Sequence, residues 1–356
     1  MKIISVVGAR PQFIKIAPLS KELKKKHQEI IIHTGQHYNS RMSQLFFDEL
    51  KINKPDYNLK IGSGNHSEQT GEMLIRIEEI LIKEKPNLVL VYGDTNSTLA
   101  GALAASKLHI TIGHIEAGLR SFKKTMPEEI NRIITDHISD LFFCPTQNSV
   151  NLLEKEGITK KVYFTGDVMR DSTVQNIKIA QKKSGILEKL NLMPKEYLLA
   201  TIHRAENTDN KKNLVSIFNA FLKNDKRIII PLHPRTLKYV KLYGLYNKIK
   251  RSKNIIIIDP VGYLDVLMLE KNAKKVLTDS GGIQKETYFL KTPCITLRNE
   301  TEWIETVKDK WNILVGCDEN KISQAIKEFN PKTKQHSYFG NGNAVKKIVN
   351  IINRIK

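Results

Sequence analysis

The chain has 356 residues, of which 40% are hydrophobic, and a formal net charge of +20 from 57 Lys and Arg against 37 Asp and Glu. This length and apolar content predict about two domains, each with its own core. The apolar runs are too short to span a membrane, and the three cysteines, Cys144, Cys294 and Cys317, lack the paired spacing of a zinc site or a disulfide framework. We therefore expect a soluble, cytoplasmic protein whose cysteines are reduced core residues.

The positive charge is spread along the chain, with short lysine clusters such as residues 24–26 and 346–347. No recognition motif accompanies these clusters, which disfavours nucleic acid as the main partner. A basic chain also fits a pocket for an anionic small molecule. We expect no nucleic-acid or membrane partner, no cofactor and no metal.

Short apolar runs rich in β-branched residues alternate with amphipathic stretches almost from end to end, which predicts parallel sheets covered by helices. In chain order, the first predicted strands are residues 3–7, 30–33, 88–92, 111–115, 141–144 and 162–165. A lysine-rich helical connection near residues 170–192 precedes a second series at residues 197–202, 227–231, 254–258, 275–278, 294–297 and 313–315. We expect an α/β fold of two Rossmann-like domains, residues 1–168 and 169–339, with parallel sheets that face each other across a cleft. A C-terminal helix near residues 340–356 is expected to pack back on the first domain.

One octet directly follows the apolar run at residues 275–278 and reads Asp279-Ser280-Gly281-Gly282-Ile283-Gln284-Lys285-Glu286. This order of strand, glycine pair and helix start indicates a phosphate site, because helix N-termini attract anions and glycines let a pyrophosphate approach the main chain. Glu286 lies four residues into the helix, where it can accept hydrogen bonds from a ribose. Taken alone, the octet is more readily explained as a plain turn between strand and helix.

Other polar signatures follow the C-terminal ends of predicted strands, where doubly wound sheets place their ligands. They are Gly8-Ala9-Arg10-Pro11-Gln12 with Lys15, Thr34-Gly35-Gln36-His37, Gly93-Asp94-Thr95, His114-Ile115-Glu116-Ala117-Gly118, His203-Arg204-Ala205-Glu206-Asn207 and Leu232-His233-Pro234-Arg235. Polar motifs after the ends of so many strands are hard to explain as turns alone. No Gly-x-Gly-x-x-Gly follows a strand and no Walker lysine motif is present, so neither a tightly bound dinucleotide nor ATP hydrolysis is indicated.

Together with Pro127-Glu128-Glu129-x-Asn131-Arg132, these motifs resemble those of the non-hydrolysing UDP-N-acetylglucosamine 2-epimerases, in the family's order and over nearly the whole chain. The resemblance implies interconversion of UDP-N-acetylglucosamine and UDP-N-acetylmannosamine. It also implies a GT-B-like fold, like that of two-domain glycosyltransferases, a homodimer, and a supply of N-acetylmannosamine units for surface polysaccharide.

The chemistry of this reaction requires particular side chains. No carbonyl acidifies the hydrogen on C2 of the sugar, so the family's mechanism expels UDP from C1 while a base takes that hydrogen. UDP then adds back to the resulting 2-acetamidoglucal as a proton arrives on the opposite face. Carboxyl groups near C2 and cations or amides on the diphosphate are therefore needed. The resemblance assigns the carboxyl roles to Asp94, Glu116 and Glu128, and it assigns His203 to the leaving phosphate or to proton transfer.

Taken singly, these residues have ordinary structural alternatives. Asp94 can cap the following helix, Glu116 can pair with Arg120, and Glu128 can favour the dipole of a first helical turn. His203 can be a satisfied histidine at a strand end.

The resemblance also assigns contacts with UDP and with a second ligand. The predicted substrate-binding residues are Arg10, Lys15, Ser280, Gly281, Gly282 and Glu286. Bacterial members bind a second UDP-N-acetylglucosamine as an activator, and Gln36, Arg204 and His233 match part of that site. Asn39 stands where a glutamine is usual.

One departure concerns the diphosphate. Many bacterial members carry an arginine where this chain has Trp303, in the stretch Thr301-Glu302-Trp303-Ile304-Glu305. Arg298 is close in sequence and is a candidate substitute for that arginine.

Three other functions stay open at this point. A hydrolysing epimerase would release free N-acetylmannosamine and UDP, and a glycosyltransferase on the same fold would require an acceptor. A nucleic-acid-binding protein would show affinity that falls steeply with salt and is indifferent to UDP-sugar.

Overall fold

The computed structural model describes residues 1–36, 47 and 49–355. Contacts between Cα atoms divide the chain into two units, Met1–Ser172 with Ser337–Lys356 and Thr173–His336. We call these the first and the second unit. The division falls within one helix, Val168–Lys183.

The described part of the first unit is built on a seven-stranded parallel sheet in the order β3-β2-β1-β4-β5-β6-β7. Its strands are β1 Lys2–Val7, β2 Gln28–His33, β3 Tyr57–Asn58, β4 Leu88–Tyr92, β5 Thr111–Ile115, β6 Leu141–Cys144 and β7 Val162–Phe164. Strands β1 and β4 lie at the centre and are buried on both faces. This burial explains why their sequences are continuous apolar runs rather than alternating patterns.

Helices connect these strands on both sides of the sheet. They are α1 Arg10–Leu23, α2 His66–Glu84, α3 Asn96–Lys107, α4 Pro127–Ile138, α5 Gln147–Lys155 and α6 Val168–Lys183. Helix α1 has Pro11 in its first turn, where the missing N–H of proline costs nothing. Thr95 caps α3 because its hydroxyl accepts a hydrogen bond from the backbone N–H of Thr98 at 3.4 Å.

The second unit repeats this architecture with a six-stranded parallel sheet in the order β10-β9-β8-β11-β12-β13. Its strands are β8 Tyr197–Thr201, β9 Arg227–Pro231, β10 Ile255–Ile258, β11 Lys275–Thr278, β12 Cys294–Thr296 and β13 Asn312–Leu314. Its helices are α7 Ile186–Lys189, α8 Ala205–Thr208, α9 Lys211–Leu222, α10 Pro234–Leu242, α11 Tyr246–Arg251, α12 Tyr263–Asn272, α13 Gly281–Phe289, α14 Ile304–Lys308 and α15 Glu319–Glu328.

The last helix, α16 Ala344–Ile352, belongs to the first unit and packs against α1. It does so through an apolar face that includes Val345, Ile348 and Ile352. Among the described residues, no helix combines the length and the apolar character needed to cross a lipid bilayer.

Each sheet has a switch point, where the chain leaves one edge and begins to build the other. In the first unit it lies between β1 and β4, and in the second between β8 and β11. Loops at the carboxyl ends of strands beside a switch point form the usual ligand site of such sheets.

The expected α/β fold of two Rossmann-like domains with parallel sheets is confirmed. All twelve predicted strands are present, and their ends differ from the prediction by two residues at most. The prediction missed only β3 among the described strands, because two residues at the edge of a sheet are too short to show periodicity. All three cysteines are free thiols, but Cys317 is only half-buried, unlike Cys144 and Cys294.

His33 lies in the apolar core of the first unit. The residue is 5% exposed, and its ring stacks on Phe13 with centroids 5.1 Å apart and planes inclined by 21°. Burial lowers the pKa of His33 to about 4, because the imidazolium would lose its hydration there.

We expect the protein to lose stability as the pH falls from about 6.5 to about 4, because the unfolded chain binds a proton at His33 that the folded chain excludes. A pKa lowered from 6.5 to about 4 corresponds to roughly 3 kcal/mol of unfolding free energy. This contribution is fully present above pH 6.5, the pKa of the histidine in the unfolded chain. The His33→Phe variant should lose less Tm than the wild type between neutral pH and about pH 4.5. The matched change at the exposed His109 should leave the acid loss of Tm unaltered. Equal losses in His33→Phe and the wild type would contradict the expectation.

Candidate active site

Lys15 and Glu116 form a buried ion pair at the switch point of the first unit. Lys15 comes from α1 and is 6% exposed, and Glu116 directly follows β5 and is 8% exposed. Gly93, after β4, is packed against both: a methyl group on it would lie 3.0 Å from Lys15 Nζ and 3.3 Å from Glu116 Oε2. The backbone of Gly93 is also left-handed, with φ +66°. Only glycine fits this position without strain.

Glu116 itself has a left-handed backbone, with φ +75°. This conformation is uncommon for a residue with a side chain and is typical of functional sites. The amide groups of Glu116 and Ala117 donate hydrogen bonds to the carbonyl oxygen of Phe143, at 3.1 and 3.3 Å, and thereby hold the turn. The ionic partner of Glu116 is Lys15 rather than the alternative Arg120, which pairs with Asp136 and Glu156.

Arg132 fixes the second predicted carboxyl, Asp94. Arg132 is 2% exposed and its Nη2 donates to Asp94 Oδ2 at 2.6 Å. The same guanidinium lies 3.3 Å from Glu129 Oε2 and donates from Nε to the carbonyl oxygen of Glu128 at 3.2 Å. Asp94 is not the cap of the following helix, since Thr95 fills that role.

The structure distinguishes Glu128 from its neighbour Glu129. Glu129 is 1% exposed, and its carboxylate accepts hydrogen bonds from the Ser121 amide and hydroxyl, both at 2.8 Å, and from the Phe122 amide at 2.9 Å. This carboxylate therefore caps a loop. Glu128 is half-buried in the first turn of α4. Because Glu129 is engaged by the loop, Glu128 is the better candidate of the two for a catalytic carboxyl.

In the second unit, Asp279 holds the loop that carries His203. Asp279 is fully buried and accepts hydrogen bonds from the backbone N–H of His203 at 3.1 Å and of Arg204 at 3.0 Å, and from Asn207 Nδ2 at 3.0 Å. The His203 side chain is 40% exposed and its Nδ1 lies 3.7 Å from Asp279 Oδ1. The imidazole is thus presented to solvent on a fixed backbone.

The predicted phosphate site is the start of α13. Ser280 is the N-cap, and its hydroxyl accepts a hydrogen bond from the Ile283 N–H at 3.5 Å. Gly281 is the first residue of the helix, and a methyl group on it would collide with the Glu302 carboxylate. Glu286, further along α13, is 2% exposed and interacts with the buried Tyr263, whose pKa is raised by burial and by Glu286. The expected order of strand, cap, glycine pair and helix is present.

The residues assigned to a second nucleotide-sugar site are divided between the two units. In the first unit, the Gln36 side-chain carbonyl accepts from the Ser97 amide at 3.2 Å and from the Ser97 hydroxyl at 2.7 Å. In the second unit, the rings of His203 and His233 lie 5.8 Å apart, next to Arg204. Asn39 lies outside the described residues.

Trp303, in place of the bacterial arginine, is buried rather than presented to a ligand. It is 3% exposed, and Lys285 Nζ lies 3.9 Å from its ring centroid, which is a cation–π contact. Arg298 is a poor substitute, because it is 3% exposed and pairs with Glu300 and Glu302 at 3.4 and 3.1 Å.

A cavity of about 510 Å³ in the second unit adjoins Arg298 and the Asn207 side chain that donates to Asp279. It is lined by Glu206, Asn207, residues 297–299 and residues 315–321, among others. None of the predicted catalytic or substrate-binding residues of the second unit lines it.

Sequence reasoning gave no individual role to Arg132, Asp279, His114 and Asp136. The first three lie inside the quoted motifs, so their positions were visible although their partners were not. Asp136 lies on α4 outside every motif, and only the folded chain reveals it as the partner of His114 and Arg120.

Two parallel sheets with polar side chains at the carboxyl ends of their strands define a doubly wound α/β protein with a ligand site at a switch point. The chain belongs to the UDP-N-acetylglucosamine 2-epimerase family, whose model matches residues 21–353.

Individual relatives match over their whole length. A UDP-N-acetylglucosamine 2-epimerase homolog from Methanococcus maripaludis is 59% identical, with 100% of each chain covered. The UDP-2,3-diacetamido-2,3-dideoxy-D-glucuronate 2-epimerase of Pseudomonas aeruginosa is 46% identical, again with 100% of each covered. The crystal structure of Methanocaldococcus jannaschii UDP-GlcNAc 2-epimerase in complex with UDP-GlcNAc and UDP has a TM-score of 0.94 at 50% identity and covers 99% of both chains.

Proposed function

We propose that the protein interconverts UDP-N-acetylglucosamine and UDP-N-acetylmannosamine by elimination and re-addition of UDP. The observation that carries the proposal is the pair of carboxylates at the switch point of the first unit, Glu116 held by Lys15 and Asp94 held by Arg132. Each carboxylate follows a strand end and is oriented by a buried cation, as proton transfer at a fixed carbon requires. Membership of the epimerase family supports the same reaction.

The reaction balances without an added oxidant or reductant. A carboxylate takes the proton from C2 as the C1–O bond breaks. The electron pair of the C1–O bond leaves with UDP. The carbon–carbon double bond of 2-acetamidoglucal results. In the reverse sense, a UDP oxygen bonds to C1 while a carboxyl group returns a proton to the opposite face of C2. Asp94, Glu116 and Glu128 supply these proton-transfer groups.

The UDP contacts are proposed on the second unit. The N-terminus of α13, with Ser280, Gly281 and Gly282, binds the diphosphate through backbone N–H groups and the helix dipole. His203 stabilises the charge on the departing phosphate, and Glu286 binds the ribose. The fixed backbone at His203 and the glycine-lined helix start support these roles.

Two cations of the first unit complete the proposed substrate contacts. Arg10 begins α1 and Lys15 follows one turn later. We assign both to the diphosphate, and Lys15 in addition to the orientation of Glu116.

We further propose that the enzyme is substrate-activated and that Gln36, Arg204 and His233 contact a second nucleotide sugar. Within the first unit, hydrogen bonds from Ser97 hold Gln36, and within the second unit, the rings of His203 and His233 lie 5.8 Å apart. Each local arrangement supports the proposal by itself.

A second candidate substrate is the UDP-2,3-diacetamido-2,3-dideoxy-D-glucuronate named for the Pseudomonas relative. The 46% identity over the whole chain favours including it. Its C2 carries the same hydrogen and acetamido group, so the same carboxyls would serve.

We propose that the enzyme acts as a homodimer in the cytoplasm, where it supplies surface-polysaccharide synthesis. Two exposed isoleucines seven residues apart on α2, Ile75 and Ile82, each 56% exposed, support an association surface. Light scattering at several protein concentrations tests the dimer.

The proposed reaction is tested by incubating the purified protein with UDP-N-acetylglucosamine in heavy water and following C2 by NMR. We expect deuterium at C2 together with the manno-configured nucleotide sugar. Free N-acetylmannosamine with UDP would indicate a hydrolysing epimerase, and turnover that requires an acceptor would indicate a glycosyltransferase. Exchange only with the diacetamido-glucuronate substrate would favour the second candidate.

A further inference from the structure

His114 is a buried histidine whose two ring nitrogens both face hydrogen-bond acceptors. It lies on β5 and is fully buried. Its Nε2 is 2.7 Å from the carbonyl oxygen of Gly93, and its Nδ1 is 2.7 Å from Asp136 Oδ1. A carbonyl oxygen only accepts, so Nε2 carries a hydrogen. The state of Nδ1 then depends on Asp136.

Asp136 is placed to be an ionised carboxylate. Its Oδ2 accepts hydrogen bonds from Arg120 Nη1 at 2.6 Å and from the Gly118 N–H at 3.2 Å. A guanidinium and a backbone N–H that both donate to this carboxylate favour its ionised form without any contribution from His114. An ionised carboxylate only accepts, so Nδ1 of His114 carries a hydrogen as well.

The charged groups around the histidine favour a positive ring. They are Asp136 on α4, Arg120 after β5, the partly exposed pair of Glu156 and His137, Cys144 on β6 and, beyond Gly93, the pair of Lys15 and Glu116. Burial raises the pKa of the Cys144 thiol, which keeps it neutral. Asp136 is fully buried, so a cation at each of its two oxygens, His114 at one and Arg120 at the other, stabilises its charge.

We propose that His114, as an imidazolium that donates from both ring nitrogens, positions the two loops carrying Asp94 and Glu116. The proposal rests on the proposed function of those carboxyls. His114 holds Gly93, the residue directly before Asp94, by donating from Nε2 to its carbonyl oxygen. Asp136 holds Gly118, two residues after Glu116, by accepting a hydrogen bond from its N–H. Glu116 has a left-handed backbone with φ +75°, which is strained for a residue with a side chain, so the surrounding structure must hold its turn.

The protonation state is tested on the wild-type protein by NMR of ¹⁵N-labelled histidine. We expect one histidine to keep both ring nitrogens protonated from about pH 6 to about pH 9, because each nitrogen faces an acceptor at 2.7 Å. Its signals should be absent in His114→Gln. In Asp136→Asn, the same ring should lose a proton within that range. If every histidine of the wild type loses a ring proton over this range, the proposal is wrong.

The positioning role is tested by kinetics. His114→Gln should lower kcat about 100-fold, because a displacement of about 1 Å at the reacting groups has that effect. KM and the Kd for UDP should change less than about twofold, since His114 hydrogen-bonds to Gly93 and Asp136 and not to Arg10, Lys15 or any second-unit residue assigned to UDP. The matched change His109→Gln, at an exposed site on the loop before β5, should alter none of these values.

These outcomes separate the possible failures. A purely structural histidine would lower Tm in His114→Gln and leave kcat of the folded fraction unchanged, which would overturn the positioning role. If His114→Gln does not fold, the wild-type NMR and Asp136→Asn still decide the charge. A wild type that does not epimerise UDP-N-acetylglucosamine refutes the proposed function while the NMR result stands.

Discussion

Replacing Glu116 by Gln should lower kcat and the rate of C2 exchange about 10³-fold, within the range expected for loss of a proton-transfer group. The amide keeps the shape of the side chain but has no basic oxygen to take the C2 proton. Asp94→Asn and Glu128→Gln should have effects of similar size. UDP affinity should change much less than kcat, because none of the three carboxyls is itself a proposed UDP contact, although Glu116→Gln removes the charge that pairs with Lys15. NMR of deuterium incorporation measures the exchange, and titration calorimetry measures UDP binding.

The matched control is Glu154→Gln, which removes one negative charge at an exposed position of α5. We expect its exchange rate to equal that of the wild type. Near-normal exchange in any one of the three carboxyl variants would remove that residue from the catalytic set. Loss of activity accompanied by an equal loss of folded protein would identify a structural carboxylate instead.

Gly281→Ala should weaken UDP binding by about 10- to 100-fold, equivalent to about 1.4 to 2.7 kcal/mol. The added methyl group would collide with the carboxylate of Glu302 and lie 3.4 Å from Trp303 Nε1. Neither neighbour can move freely, because Glu302 is 7% exposed and paired with Arg298, and Trp303 is 3% exposed. The start of α13 must therefore shift, and its N–H groups shift away from the diphosphate.

Gly71→Ala provides the control for this substitution, because it introduces the same methyl group inside α2, where no atom lies within 4 Å of it. An alanine there should stabilise the protein by about 0.5 to 1 kcal/mol through its better helix propensity and should leave UDP binding unchanged. Titration calorimetry with UDP measures the Kd of both variants. An unchanged Kd in Gly281→Ala would exclude the start of α13 as the diphosphate site.

The sheets could be predicted from the sequence because a strand buried on both faces must be apolar throughout. The apolar run of β4, Leu88–Tyr92, in which every residue is buried, shows this directly. Strand β3 could not be found, since Tyr57 and Asn58 carry no periodic signal. The domain boundaries at residues 168 and 339 stay predictions, as do the catalytic and binding roles of the individual side chains.

The partners of the site residues were less predictable than the residues themselves. A carboxyl after a strand end is visible in a sequence, but the cation that holds it depends on how distant segments pack. Arg120 is close to Glu116 in the chain and was an obvious alternative partner, yet it binds Asp136, while Lys15 reaches Glu116 from 101 positions away. Side-chain direction at the end of a strand decides such pairings, and local spacing does not encode it.

The left-handed backbone of Glu116 ties the conformation of one turn to a buried ion pair. An ordinary side chain in that region costs about 1 to 2 kcal/mol relative to glycine. Glycine would relax the turn but would remove the carboxylate that pairs with the buried Lys15, a loss that costs about 3 to 5 kcal/mol. The ion pair therefore outweighs the backbone strain, and a more thermostable variant is better sought at positions far from this turn.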